Sequence, residues 1–166
     1  MPDRPGLTPS QTVGPFLHLA LADPALATPV PAADPTALTL GGIVVDGAGA
    51  PVHDAVVETW QWGGPFARCP TGADGTWSVR IRRPVAVPTL GGVAQAPHVA
   101  VSVFARGLLD RVVTRVYFAG DPANATDPVL ALVGDASRLL ARVADDGSWR
   151  FDIHLRGDDE SVFFAV

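Results

Sequence analysis

Glycine and proline interrupt this chain so often that no long regular element fits between them. The 166 residues include 17 glycines and 16 prolines, which mark turns and break helices. Several of the short runs between them are rich in valine, isoleucine, threonine and aromatic residues, which favour strands. The pattern predicts an all-β fold, a mostly antiparallel β-sandwich of about eight strands with one short helical connection.

The strongest β-forming runs place the strands. Predicted strands cover residues 38–46, 52–61, 76–81, 96–107, 110–118 and 148–155. The last of these shows the most regular alternation of apolar and polar residues, and residues 162–166 could close the sheet. A helical connection is expected between residues 126 and 144, starting at Asp127 and Pro128. Residues 22–36, 62–71 and 84–97 read as loops, and residues 1–16 as an extended arm.

Length, charge and composition bound the function. A chain of 166 residues suits a single domain, residues 1–166. The net charge of −5, with no Lys/Arg run, argues against nucleic acid or an anionic membrane as partner. No apolar run approaches the ~20 residues of a membrane span. The lone Cys69 cannot form an internal disulfide and no signal peptide is evident, so we expect a cytoplasmic protein.

The predicted strand within residues 96–107 carries a possible ligand at each end. His98 stands at its start and Arg106 just past its end, while Ala100, on the same face as His98, has no donor atom. The four histidines lack the close spacing of metal ligands, and a lone histidine such as His98 is more often structural. Arg106 could be an edge-strand charge that deters aggregation, or could face an anionic ligand.

Eight short sequence motifs, distributed from residue 8 to residue 164, resemble motifs of one protein family and occur in the same order as in that family. The chain is similar to the intradiol ring-cleaving dioxygenases, in particular to the α chains of members that act on protocatechuate and are built from paired α and β chains. The matching strings are Thr8–Phe16 (TPSQTVGPF), Glu58–Gln61 (ETWQ), Asp74–Trp77 (DGTW), Ala96–His98 (APH), Phe104–Gly107 (FARG), Arg115–Phe118 (RVYF), Arg150–Ile153 (RFDI) and Glu160–Phe164 (ESVFF).

The resemblance implies that this chain holds no metal. In the family, the β chain binds a non-haem Fe(III) through two tyrosines and two histidines, the latter as His-x-His. Here that pair reads His98-Val99-Ala100, and the only tyrosine, Tyr117, matches a shared strand position. His98 is then a vestigial ligand position where Ala100 replaces the second histidine, and one imidazole cannot hold a hard ferric ion.

The resemblance also implies where this chain acts. The arm of an α chain helps to form the active site of its β partner, so Thr12, Gly14 and Pro15 are expected beside the aromatic substrate, and Arg106 near its carboxylate. The expected reaction is the O₂-dependent intradiol cleavage of protocatechuate to 3-carboxy-cis,cis-muconate by a hetero-oligomer of α/β pairs. This chain alone is expected to be inactive, and it is shorter than an α chain should be, chiefly in residues 22–36 and after Gln61.

Two alternatives remain open at this point. An intradiol-like enzyme that works alone would contain its own iron. A non-catalytic β-sandwich that serves as a binding or scaffold module would also suit the missing ligands.

Overall fold

Nine strands form the body of the structure, a computed structural model that describes residues 6–12, 17, 21–88 and 92–165. In chain order, the strands in these ranges are β1 (Ala37–Val45), β2 (Val56–Trp60), β3 (Ala67–Pro70), β4 (Thr76–Arg82), β5 (His98–Phe104), β6 (Val112–Phe118), β7 (Leu140–Val143), β8 (Trp149–Arg150) and β9 (Ile153–His154). The prediction of an all-β fold is confirmed.

The strands form one continuous sheet that is nearly closed. Their order is β3-β2-β5-β6-β7-β8-β1-β4, with β9 beside β1. The two end strands lie against each other, and Cys69 of β3 accepts a hydrogen bond from the Ser78 amide of β4 at 3.5 Å. The sheet is therefore barrel-like, because the edges that an open sheet would expose approach each other.

The sheet is mixed, which corrects the expectation of a plain antiparallel sandwich. Strand β1 runs parallel to β8 and β9, and β6 runs parallel to β7, whereas the other pairs are antiparallel. Parallel neighbours need a long crossover, and residues 119–139 supply one between β6 and β7. Strand β3 lies inside residues 62–71, which we expected to be a loop, since the sequence Ala67-Arg-Cys-Pro70 shows no alternation.

Three short 3₁₀ helices in the crossover between β6 and β7 replace the single helical connection expected between residues 126 and 144, and a fourth lies before β1. They cover Pro24–Ala27, Pro122–Thr126, Leu130–Leu132 and Ala136–Leu139. Aspartates at positions 23, 121 and 135 accept backbone amide hydrogen bonds at three of their starts, as capping residues do. Gly134 and Asp135 prevent a continuous helix, and residues 140–143 are strand β7. Within the described ranges, no helix is long and apolar enough to cross a membrane.

The regular alternation of residues 148–155 does not produce one strand, and this prediction is wrong in detail. Strands β8 and β9 are separated by Phe151 and Asp152, where the chain shifts along β1. The Phe151 amide donates to the Gly41 carbonyl at 2.8 Å, and Asp152 Oδ1 accepts from the Ile43 amide at 3.0 Å. A side chain thus replaces a ladder hydrogen bond, while Phe151 and Ile153 remain buried.

The C-terminal segment covers an edge of β6 without forming a strand in its described part. The Phe164 amide donates to the Val113 carbonyl at 2.8 Å, and Thr114 Oγ1 donates to the Val162 carbonyl at 2.7 Å. These bonds occupy the half of the β6 edge that β7 does not reach.

The main core lies between two parts of the sheet, the strands β3-β2-β5-β6 and the strands β8-β1-β4. Its buried residues are Leu40, Val44, Ala55, Val57, Ala67, Trp77, Val79, Ile81, Val99, Val101, Val103, Ala105, Val116, Phe118, Ala141, Phe151 and Ile153. Each large member contributes about 1.5–3 kcal/mol by leaving water. Strand β5 supplies Val99, Val101 and Val103, so this core fixes the strand that carries His98 and leads to Arg106.

We predict that Gly42→Ala destabilises the fold by about 1–3 kcal/mol, because overpacking forces backbone to move. A methyl group at Gly42 would overlap the Phe151 carbonyl, at the shift between β8 and β9. Gly134→Ala is the matched control, since a methyl group there meets nothing within 4 Å. Urea unfolding of both variants measures the effect, and equal midpoints would contradict the described packing.

Candidate functional site

The two residues singled out at the ends of β5 lie far apart. His98 is the first residue of β5, and Arg106 follows its last residue by two positions. At about 3.3 Å per residue, their Cα atoms are separated by roughly 25 Å. His98 and Arg106 therefore belong to two separate regions of the structure.

His98 is buried and its ring orientation is fixed. Its Nδ1 lies 2.8 Å from the Ala96 carbonyl oxygen, and its ring packs at 5.2 Å from that of Tyr117, the neighbour on β6. Burial lowers the pKa of His98 below its ordinary value of 6.5, and the Arg115 charge adds to this, although the hydrogen bond to Ala96 opposes it. Because a carbonyl can only accept, the neutral ring carries its proton on Nδ1 and leaves Nε2 as an acceptor.

A buried carboxylate organises the surroundings of His98. Asp127 is 1% exposed and accepts hydrogen bonds from the backbone amides of Ala96 at 2.7 Å and of Val129 and Leu130 at 2.8 Å each. It also accepts from the Tyr117 hydroxyl at 3.2 Å. Three amide donors and a hydroxyl satisfy this carboxylate, as a buried charge requires.

These contacts test whether an Fe(III) ion fits at the vestigial ligand position, and it does not. Ala100 offers no ligand atom. The Tyr117 hydroxyl is hydrogen-bonded to Asp127 and to Arg115, and burial raises the pKa of Tyr117 above its ordinary value, which disfavours the tyrosinate form. Among the described residues, no cluster of three or more His, Cys, Asp or Glu side chains could hold a metal ion.

An apolar groove opens beside His98. It has a volume of about 540 Å³ and is lined by Trp60, Gln61, Trp62, Gly63, Val87, His98 and Ala100. Trp60 is 63% exposed and Trp62 is 59% exposed. We call this surface the indole groove. The small side chain of Ala100 leaves room in it at the position where the resemblance expects a second histidine.

Arg106 is exposed and contacts a buried carboxylate. Its Nε lies 3.2 Å from Asp54 Oδ2, with the Arg106 side chain 60% exposed and that of Asp54 7% exposed. Asp54 Oδ2 has no hydrogen-bond partner in the described part of the chain, so the contact is a charge interaction without an aligned hydrogen bond. Because Nε faces Asp54, the two terminal nitrogens of Arg106 are left for another partner.

The arm contacts Gly107, the residue that follows Arg106. The Gly107 amide donates to Thr12 Oγ1 at 3.0 Å, across 95 residues of sequence. Thr12 therefore lies beside the residue next to Arg106 in sequence. Gly14 and Pro15, the other predicted site residues of the arm, lie outside the described residues. Leu17 is buried and can anchor the chain behind them.

Sequence reasoning missed several residues of both regions. Asp54 follows His53 in a turn and belongs to no pattern that would signal an ion pair with a residue 52 positions away. The sequence pattern marks Asp127 only as a helix start, although an aspartate before a proline is also suited to a wider capping role. Trp60 and Trp62 lie on either side of the end of β2, and exposed tryptophans become informative only once the structure shows that they share a groove.

We predict that His98 makes the stability of the chain depend on pH. The unfolded chain protonates this histidine near 6.5, whereas the folded chain resists protonation. The free energy of unfolding therefore falls as the pH drops below that value, from about pH 7 to about pH 5. Arg115 and Asp127 are the charged groups that act on the ring.

Urea unfolding across this range checks the prediction, and His98→Phe should show a shallower pH dependence than the wild type. His53→Phe, at an exposed histidine, is the control and should keep the wild-type slope. Parallel slopes for wild type and His98→Phe would contradict a neutral, desolvated imidazole.

Comparisons with known proteins give relatives along nearly the whole chain. No family model matches the chain. Protocatechuate 3,4-dioxygenase alpha chains are similar to it: that of Pseudomonas putida is 36% identical over 191 aligned positions, covering 95% of this chain and 95% of the relative. That of Burkholderia cepacia is 37% identical over 195 positions, covering 96% and 97%. Both alignments exceed the 166 residues of this chain, so the relatives contain segments that it lacks, in agreement with the expectation of a short α chain.

A second type of chain and a solved structure are also similar. The protocatechuate 3,4-dioxygenase beta chain of Burkholderia cepacia is 29% identical over 153 positions, covering 74% of this chain and 65% of the relative. The dioxygenase domain of a dioxygenase carbohydrate-binding protein fusion from Streptomyces sp. SirexAA-E superposes with a TM-score of 0.62 at 28% identity, covering 79% of this chain and 87% of that chain.

Proposed function

Because this chain belongs to the protocatechuate 3,4-dioxygenase alpha chains of the intradiol ring-cleaving family, we propose that it shapes the substrate site of a β-type partner through Thr12 and Arg106. The observation that carries this proposal is the contact between the arm and the end of β5, where the Gly107 amide donates to Thr12 Oγ1. Two segments that the resemblance expects at one substrate site are thereby neighbours.

The reaction of the assembled enzyme is the cleavage of protocatechuate by O₂. Both oxygen atoms enter the product, the bond between the two hydroxyl-bearing carbons breaks, and 3-carboxy-cis,cis-muconate results. In this assembly we place the non-haem Fe(III) of the family on the β partner. The absence of a fitting ligand set around His98 supports that division, as does the existence of relatives of both alpha and beta type.

Arg106 is suited to bind the carboxylate of the substrate. Its Nε faces Asp54, which limits the motion of the guanidinium and leaves both terminal nitrogens at the surface. A guanidinium presented in this way can donate two parallel hydrogen bonds to a carboxylate. Since exposed arginines on flexible side chains lose rotamer freedom on binding, the Asp54 contact reduces that entropic cost.

The arm completes the proposed surface. Thr12 fixes the arm to Gly107, whose φ of +89° is one that glycine adopts without strain. Gly14 and Pro15 follow closely in sequence, so we propose that they form the wall beside the aromatic ring, where glycine permits close backbone approach and proline supplies a rigid apolar face. We further propose a single cytoplasmic domain that assembles as a higher hetero-oligomer of α/β pairs.

We predict that Arg106→Ala raises the KM of the assembled enzyme for protocatechuate by about tenfold or more, because it removes a charge-assisted hydrogen bond. The change in kcat should be smaller, since the residue binds substrate and does not react. Arg150→Ala is the matched control: Arg150 is also 60% exposed and lies 3.1 Å from an aspartate, Asp152. Steady-state kinetics of the wild type and both variants measure the effect. Equal KM values for the wild type and Arg106→Ala would show that Arg106 does not bind the substrate.

We predict that iron and activity both depend on the β-type partner. The purified chain should contain no stoichiometric iron and should show no ring cleavage, whereas co-expression with the β-type chain should yield an active, iron-containing complex. Iron analysis and oxygen-uptake assays of both preparations measure this. Stoichiometric iron with a burgundy colour in the lone chain would support the enzyme that works alone, and a chain that never binds or activates the partner would support the scaffold module.

A further inference from the structure

The residues that line the indole groove are of the kinds found in ligand-binding sites. Its lining residues are all uncharged at neutral pH, and two of its walls are the half-exposed indoles of Trp60 and Trp62. Aromatic walls and a volume of about 540 Å³ are typical of sites for small, largely apolar molecules. Isolated exposed tryptophans are ordinary, but two that share one concave surface are not.

A buried acceptor lies in the wall of this groove. His98 is 8% exposed, and its Nδ1 is occupied by the Ala96 carbonyl. No described residue hydrogen-bonds its Nε2, which carries the lone pair of the neutral ring. An acceptor in an apolar wall loses its hydration when a ligand enters, so a ligand that binds there must donate a hydrogen bond.

The amide of Gln61, which also lines the groove, is not accessible to a ligand. Its Nε2 donates to the Arg82 carbonyl at 3.0 Å, whereas its buried Oε1 has no partner among the described residues. The side chain is held beneath Gly64, so it cannot turn its amide toward another donor without displacing that turn. The groove therefore combines apolar walls with one accessible acceptor, His98 Nε2, and lacks a charged side chain in its described lining.

We propose that the indole groove binds a small, neutral aromatic molecule with a hydroxyl donor, that is, a phenol, without a metal ion. The ring packs against the indoles of Trp60 and Trp62, and the hydroxyl donates to His98 Nε2. The small side chain of Ala100 leaves the space that the ring occupies.

This site is distinct from the one served by Arg106. The two regions lie at opposite ends of β5, roughly 25 Å apart, and they select opposite chemistry. Arg106 suits a carboxylate, whereas the uncharged groove would have to desolvate one without compensation. A carboxylate-bearing phenol should therefore bind the groove more weakly than a neutral phenol of similar size.

Binding of p-cresol to the purified full-length chain tests the proposal. Titration followed by NMR shifts of the tryptophan indole N–H signals should show saturable binding at the Trp60 and Trp62 signals. The methyl ether, 4-methylanisole, keeps the ring but cannot donate, and it should bind about five- to tenfold more weakly, as the loss of one hydrogen bond predicts. 4-Hydroxybenzoate should also bind more weakly than p-cresol. Equal affinities for p-cresol and its methyl ether would overturn the role of His98.

Two variants locate the binding. Ala100→Leu should fill the groove and abolish binding of p-cresol, and His98→Phe should reduce the preference for p-cresol over the ether to near unity. Ser102→Leu is the matched control, because Ser102 lies on the same face of β5, two residues from Ala100, and does not line the groove. If His98→Phe fails to fold, Ala100→Leu and its control still decide, and binding that survives Ala100→Leu would contradict the site.

The assembled complex supplies the last arm of the test. The groove should keep its affinity for p-cresol when the chain is bound to a β-type chain. Loss of binding on assembly would identify the groove as a surface that the partner covers, and would overturn the proposal of a ligand site. The ring-cleavage kinetics of the complex that carries Ala100→Leu should equal those of the wild-type complex. Loss of p-cresol binding with unchanged kinetics would overturn the ligand site and leave the proposed function of Thr12 and Arg106 intact.

Discussion

The buried carboxylate of Asp127 holds together the region around His98. It accepts the amides of Ala96, Val129 and Leu130 and the hydroxyl of Tyr117, and so ties the start of β5 to β6 and to the crossover between β6 and β7. With Ala96 fixed, its carbonyl occupies His98 Nδ1. With Tyr117 engaged, the chain offers no free phenolate. One hydrogen-bonded carboxylate is thus the organising element of this end of the sheet.

Strand β5 carries a different kind of surface at each of its two ends. At its start, burial and the Arg115 charge lower the pKa of His98 and keep its imidazole neutral beside the indole groove, where only an uncharged donor is favoured. Past its end, Asp54 holds a guanidinium at the surface near Thr12, where an anion is favoured. The valines of β5 between these ends lie in the main core, so both surfaces rest on the same rigid strand.

Sequence patterns predicted the parts of this structure that depend on neighbouring residues. Period-two alternation and turn residues located β1, β4, β5 and β6 closely. Long-range contacts could not be predicted in this way. The break between β8 and β9 arises because Asp152 bonds to Ile43 across the sheet, although the local alternation is that of one strand. The Arg106 contact with Asp54 and the sharing of one groove by Trp60 and Trp62 likewise follow from tertiary packing, which no local pattern encodes.

A crystal structure of the chain in complex with a β-type partner and protocatechuate, with data collected at the iron absorption edge, tests the central claim most directly. The account predicts an anomalous iron peak on the partner alone, with the terminal nitrogens of Arg106 about 3 Å from the substrate carboxylate. An iron peak at His98, or a bound substrate whose carboxylate lies far from Arg106, would contradict it.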